Sequence, residues 1–248
     1  MRRLLCVTAH PDDEAGSFGG SLLLYRERGV ETHVICLTPG QAATHRGNTR
    51  SDADLAAQRR LEFAASCRIL NVTGCEVLDY PDGALDRTDF YRVVEDLVLR
   101  IRTMRPQVIL TYGPEGAVTA HPDHSMAGIF TTMAFEWAGR SNRFEEQLTN
   151  GITLHQAQKL YYGTALFTLP GRQPIAPAPV TTTITIGPDR LARKISAFKA
   201  HSSQAPLFSL FESNVARRAH EEHFHLAARS TPSVISPETD LFEGVEED

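Results

Sequence analysis

His10-Pro11-Asp12-Asp13-Glu14 puts one imidazole and three carboxylates within five residues, directly behind the apolar run Leu4-Leu5-Cys6-Val7-Thr8-Ala9. Imidazole and carboxylate donors together suit a borderline or hard metal ion. His10 and Asp13 are three apart, so in a helical first turn they point to one side and can share an ion. Asp12 then points elsewhere and is free to act on a water beside the metal. A second cluster, His121-Pro122-Asp123-His124, follows the strand-like run Gln107–Tyr112. His124 completes a His10, Asp13, His124 set, three protein ligands with an open fourth position, as in catalytic zinc sites. With one carboxylate the site keeps net positive charge, which lowers the pKa of bound water from ~16 toward ~7. Asp12 is then the expected general base. His121 either steadies a tetrahedral oxyanion or protonates the departing amine, with Asp123 orienting it through its second ring nitrogen. The two clusters point to a metallohydrolase.

These residues need a scaffold that brings two distant strand ends together. Strands are expected at Leu4–Ala9, Thr32–Thr38, Glu76–Tyr80 and Gln107–Tyr112, and helices at Ser17–Arg28, Asp54–Leu70, Asp89–Arg102 and Met126–Trp137. Near-continuous apolar strands alternating with helices predict a parallel sheet covered on both faces. The expected fold is a Rossmann-like three-layer α/β/α sandwich with a mostly parallel sheet and a less regular C-terminal cap. No GxGxxG follows the first strand, so the dinucleotide fingerprint is absent. Ligands in such sheets bind outside the carboxyl ends of the strands, which is where both clusters fall. Beyond residue 150, strands are expected at 158–169 and Val180–Ile186, and helices at Asp189–Ala200 and Phe208–Ala228. One domain is expected over 1–248: a core at 1–140, a cap with helices at 141–230, and a loose tail at 231–248 whose Leu241-Phe242 pair offers an anchor.

With 42% hydrophobic residues the chain can bury a large core, and a formal charge of −5 gives no reason to expect nucleic acid. No apolar run approaches the length of a membrane span. The four cysteines lack CxxC spacing and read as reduced residues, Cys6, Cys36 and Cys67 as small core hydrophobes, which favours the cytoplasm. The oligomeric state, homo-oligomer included, is left open.

The motifs resemble those of the PIG-L/LmbE-like zinc-dependent N-deacetylases. Ala9-His10-Pro11-Asp12-Asp13-Glu14 with Gly19-Gly20, Arg59 and Glu62 as R-x-x-E, Tyr80-Pro81-Asp82-Gly83, His121-Pro122-Asp123-His124 and Lys194 through Gln204 match in order over some two hundred residues. The resemblance implies His10, Asp13 and His124 as zinc ligands, Asp12 as base, His121 as oxyanion-stabilising or acid residue, and Asp123 behind it. It also implies substrate contacts at Arg59 and Asp82. Members hydrolyse acetyl amides of N-acetylglucosamine-type sugars, and some cleave amides of thiol-sugar conjugates. The implied partner is a small amino-sugar molecule and the implied cofactor Zn²⁺, with Fe²⁺ accepted by the same ligand types. Thr38-Pro39-Gly40-Gln41 departs from the family by carrying Gln41 where an acid is usual, which bears on the substrate. His201 and Gln204 either close the pocket or cap a helix. Two rivals are a metal-dependent glycosyltransferase, which has no need of the His pair, and a non-catalytic sugar-binding relative, which would lack a base or ligand.

Overall fold

The computed structural model describes residues 1–169, 176–216 and 220–246. Seven strands form a single sheet in the order β3-β2-β1-β4-β5-β7-β6. They are β1 (Arg3–Thr8), β2 (Glu31–Cys36), β3 (Gly74–Val77), β4 (Val108–Tyr112), β5 (Lys159–Thr164), β6 (Thr182–Thr185) and β7 (Glu221–Arg229). β1 to β5 pair in parallel, whereas β7 runs antiparallel between β5 and β6. The helices are α1 (Asp13–Glu27), α2 (Asp52–Ile69), α3 (Phe90–Met104), α4 (Pro122–Ala138), α5 (Gly187–Lys199) and α6 (Phe208–Ala216). One apolar layer joins α1, α2 and α5 to one sheet face, and another joins α3 and α4 to the opposite face. The mostly parallel three-layer fold agrees with the sequence expectation.

The chain builds outward from β1 to β3, then returns to place β4 on the other side of β1. The carboxyl ends of β1 and β4 are therefore adjacent at a topological switch point, where a crevice opens. α1 begins at Asp13, earlier than the apolar pattern suggested, so Asp13 and Glu14 form its first turn. α4 begins at Pro122, with His121 as its N-cap. Both clusters thus sit on helix N-termini, held by rigid elements rather than by long loops.

One expectation needs correcting. The segment Phe208–Ala228 does not form a helix throughout: α6 covers Phe208–Ala216, residues 217–219 lie outside the described residues, and Glu221–Arg229 is a strand. Ala, Glu and His in this stretch suit a helix locally, but Glu222, Phe224 and Leu226 alternate onto one face. Phe224 packs against Phe18 and Tyr161, and sheet burial overrides the local preference. The 231–248 tail, expected to be loose, is also tied down within its described part. Leu241 and Phe242 are buried in the α1 layer, and the buried Glu238 carboxylate accepts from Lys159 Nζ at 2.7 Å.

Candidate metal centre and catalytic cleft

Two backbone features bring the first cluster into register. Asp12 takes φ 116° and ψ −26°, a left-handed conformation that is costly for a residue with a Cβ and typical of functional turns. The turn lets Asp13 fold back, so its Oδ2 accepts the N–H groups of His10 at 2.8 Å and Ala9 at 3.2 Å. The same Oδ2 lies 3.6 Å from His10 Nδ1, while Oδ1 faces His124 Nε2 at 3.1 Å. His124 is aimed by Thr119 Oγ1, 3.1 Å from its Nδ1, and by stacking on Tyr112 at 4.3 Å. His10, Asp13 and His124 are thus brought together at one centre.

The wider centre holds more donors than that trio. Nitrogens of His10, His121 and His124 fall within 4.8 Å of one another, and a second group joins His10 to Asp82 and Asp123 within the same limit. His10 Nε2 lies 3.0 Å from Asp82 Oδ1 and 3.2 Å from Asp123 Oδ2. Burial alone would lower the His10 pKa, but the Asp123, Asp13 and Asp82 carboxylates more than offset it and raise it well above the ordinary imidazole value. Burial would raise the Asp13, Asp82 and Asp123 carboxyls, yet their histidine partners and N–H donors hold all three low. A buried imidazole ringed by three ionised carboxylates draws positive charge, and imidazole plus carboxylate donors fit a zinc-like ion.

Asp12 stands beside this group. Its Oδ2 accepts from Arg59 Nη2 at 3.0 Å. Burial, with Asp13 and Glu14 nearby, raises its carboxyl to about 6 despite Arg59. Arg59 is buried and committed: it also donates to Gly40 O at 2.9 Å and to Pro11 O. Gly40 has φ +70°, and a Cβ there would lie 2.2 Å from Arg59 Nη1, so glycine permits this approach. Arg59 therefore pairs with Asp12 and not with Glu62, which instead anchors Ser202 and Ser203. Asp82, besides facing His10, accepts the Ala42 N–H at 2.7 Å.

His121 caps α4, its Nδ1 accepting the Asp123 N–H at 3.1 Å. The Nδ1 lone pair is thereby used, so a neutral His121 carries its proton on Nε2. Burial, then the neighbouring His10 and His124, lowers its pKa and favours that neutral form. The expected contact between the Asp123 carboxylate and His121 is replaced by another. That carboxylate accepts from Gly83 N at 2.7 Å and Leu85 N at 3.2 Å and faces His10. At the N-terminus of α4 the backbone amide of residue 123 reaches His121, and the side chain is turned toward the 82–85 turn.

These groups open onto a cleft of about 480 Å³ lined by His10, Asp12, Asp13, Arg59, Asp82, His121 and His124. Gln204 and His45 line it as well, with Gln204 Nε2 donating to His45 O at 2.9 Å. His201 does not reach the cleft; it is fully buried and bonds Glu14 Oε1 at 2.8 Å. An apolar wall of Phe167, Leu169, Leu207, Leu210, Phe211 and Val215 faces the polar end. Sequence reading missed this wall, along with Thr119 and the part played by Glu14. Arg46, whose guanidinium pairs with Asp52, is absent from the lining.

The family model for GlcNAc-PI de-N-acetylases (PIG-L) matches residues 5–135. The chain is 33% identical over 164 residues to diacetylchitobiose deacetylase of Thermococcus kodakarensis, an alignment covering 65% of this chain and 60% of that protein. It is 30% identical to the 1D-myo-inositol 2-acetamido-2-deoxy-alpha-D-glucopyranoside deacetylase of Mycobacteroides abscessus, over 99% of each. Among solved structures, N,N'-diacetylchitobiose deacetylase from Pyrococcus horikoshii superposes with TM-score 0.77 and 22% identity, over 91% of this chain and 83% of that one. That last likeness concerns the fold.

Proposed function

Because this chain belongs to the PIG-L family of de-N-acetylases, we propose that it is a zinc-dependent hydrolase that removes an acetyl, or another small acyl group, from an amino-sugar conjugate. The observation that carries this reading is that Asp12 and His121 line one cleft together with the buried His10, Asp13 and His124. His10, Asp13 and His124 would hold the ion. Asp13 is preferred to His121 as ligand because its Oδ1 is turned into the centre, whereas His121 spends Nδ1 on its helix cap. When bound, the metal polarises the amide carbonyl and acidifies water.

The side chains divide the remaining work. Asp12, oriented by Arg59, accepts the proton of the attacking water as general base. Neutral His121, protonated on Nε2, donates a hydrogen bond to the carbonyl oxygen as it gains charge. The proton then passes from Asp12 to the departing amine. Asp123 and Asp82 hold His10 in orientation from behind. Arg59 acts on the substrate through Asp12, and Asp82 at the cleft wall is the candidate for accepting sugar hydroxyls. A cleft of 480 Å³ falls within the ~300–1,000 Å³ of ordinary ligand sites, roomy enough for a substituted sugar. The apolar wall suits the ring faces or an attached group of such a conjugate.

The test is amine release from N-acetylglucosamine derivatives, with and without a chelator. Activity lost on chelation and restored by Zn²⁺ supports the proposal; restoration by Fe²⁺ alone would reassign the metal. Turnover indifferent to a chelator that strips the bound metal would overturn it.

A further inference from the structure

Glu14 is buried beyond the cleft and touches neither the metal group nor the space for substrate. Its Oε2 nevertheless accepts the backbone N–H of Asp12 at 2.9 Å. Its Oε1 takes Ser66 Oγ of α2 at 2.5 Å and His201 Nε2 at 2.8 Å. Both oxygens are thus occupied by groups from three separate parts of the chain. The amide that Oε2 holds belongs to the residue at φ 116°, the most strained position beside the site. A left-handed Asp persists only where its surroundings over-determine it. Arg59 supplies one restraint, on the Asp12 side chain; Glu14 supplies another, on its backbone N–H, while the Gly16 N–H donates to the Asp12 carbonyl at 2.8 Å.

We propose that Glu14 is a positioning residue for the general base: its carboxylate holds Asp12 in the strained turn and so fixes where the Asp12 carboxylate points. This rests on the assignment of Asp12 as base. The two ends of Glu14 have separable duties. The Oε2 bond sets Asp12, while the Oε1 bonds to Ser66 and His201 tie α1 to α2 and to the 201–204 turn. Loss of the first misplaces the base; loss of the second only loosens the packing. Glutamine at position 14 keeps an acceptor for the Asp12 N–H and turns its NH₂ toward Ser66 and His201. His201 can accept that NH₂ by shifting its proton to Nδ1, which has no hydrogen-bond partner among the described residues.

Glu14→Leu, Glu14→Gln and Ser66→Ala separate the alternatives through kcat, KM, metal content and melting temperature. Glu14→Leu is expected to keep its metal and KM while kcat falls on the order of 10²-fold, as for a displaced catalytic group. Glu14→Gln restores most of that kcat. Ser66→Ala melts lower yet keeps kcat. Normal kcat in a folded Glu14→Leu, or an equal kcat loss in Ser66→Ala, overturns the proposal. Amide hydrogen exchange on the wild type decides even where no variant folds. The Asp12 N–H is expected to exchange as slowly as the helical amides of α1, and exchange at open-loop rates overturns the proposal. That measurement is independent of turnover, so an inactive wild type would indict the proposed function and leave the Glu14 bond to stand or fall separately.

Discussion

In the proposed reaction the side chains around the cleft fall into two kinds, those that meet the reacting atoms and those that hold them. Asp12→Asn keeps the Arg59 contact but removes the proposed proton acceptor. Turnover should fall by roughly 10²–10⁴-fold, the usual worth of a general base, with bound metal unchanged by elemental analysis. Near-normal turnover in that variant would move the base elsewhere. His124→Ala removes a nitrogen that Thr119 and Tyr112 orient. Metal affinity should drop by at least the roughly 10–100-fold that follows loss of a mere outer-shell partner. Full occupancy by elemental analysis would name another ligand, His121 first. Most of these residues were legible from spacing, because positions three apart near a helix start can share a side. The partners of Asp123 and Arg59 were not, since each bonds across elements far apart in sequence.

Among the elements, α1 carries the first cluster and depends on a close approach by β7 and α5. The Glu222 carboxylate accepts the N–H groups of Gly20 at 2.9 Å and Ser21 at 2.8 Å, and pairs with Lys194. A Cβ at Gly20 would come within 2.4 Å of Ile186 Cδ1 and 2.9 Å of Glu222 Oε1. Gly20→Ala should therefore destabilise by about 1–3 kcal/mol, the scale of overpacking, read as a lower urea midpoint; an unchanged midpoint would show that α1 yields there. Burial would raise the Glu222 carboxyl, but Lys194 and the Ser21 donors hold it below 4.5. A carboxyl whose pKa is depressed by folding contributes stability above its unfolded value and loses that contribution as pH falls through the folded value. Stability of the wild type should thus decline below about pH 4.5 more steeply than that of Glu222→Gln, although the variant is weaker at neutral pH. Parallel slopes in urea titrations at pH 7 and pH 4 would contradict this. Gly19-Gly20 stood out in the sequence as part of the family motif, but the strand that packs against it was expected as a helix.

Across the whole molecule, the C-terminal segment closes the sheet that the first half begins. Glu238 lies among Lys159, Tyr161 and Thr182, reaching β5 and β6 at once. Glu238→Ala leaves Lys159 buried without its carboxylate, a loss of about 3–5 kcal/mol in denaturant unfolding; a loss under about 1 kcal/mol, the worth of an exposed pair, would show that water reaches Lys159. No helix among the described residues is long and apolar enough to cross a membrane. The sequence by itself determined the candidate donor clusters and the parallel half of the sheet. Strands buried on both faces read as apolar runs, and donors three apart near a helix start can share a side, so both are written locally. Only the tertiary structure decided which distant groups hold the base, how β7 enters the sheet and what anchors the tail. Those outcomes depend on hydrogen bonds and burial between segments up to two hundred residues apart, as in Glu14 with His201, and no local pattern encodes such a pairing.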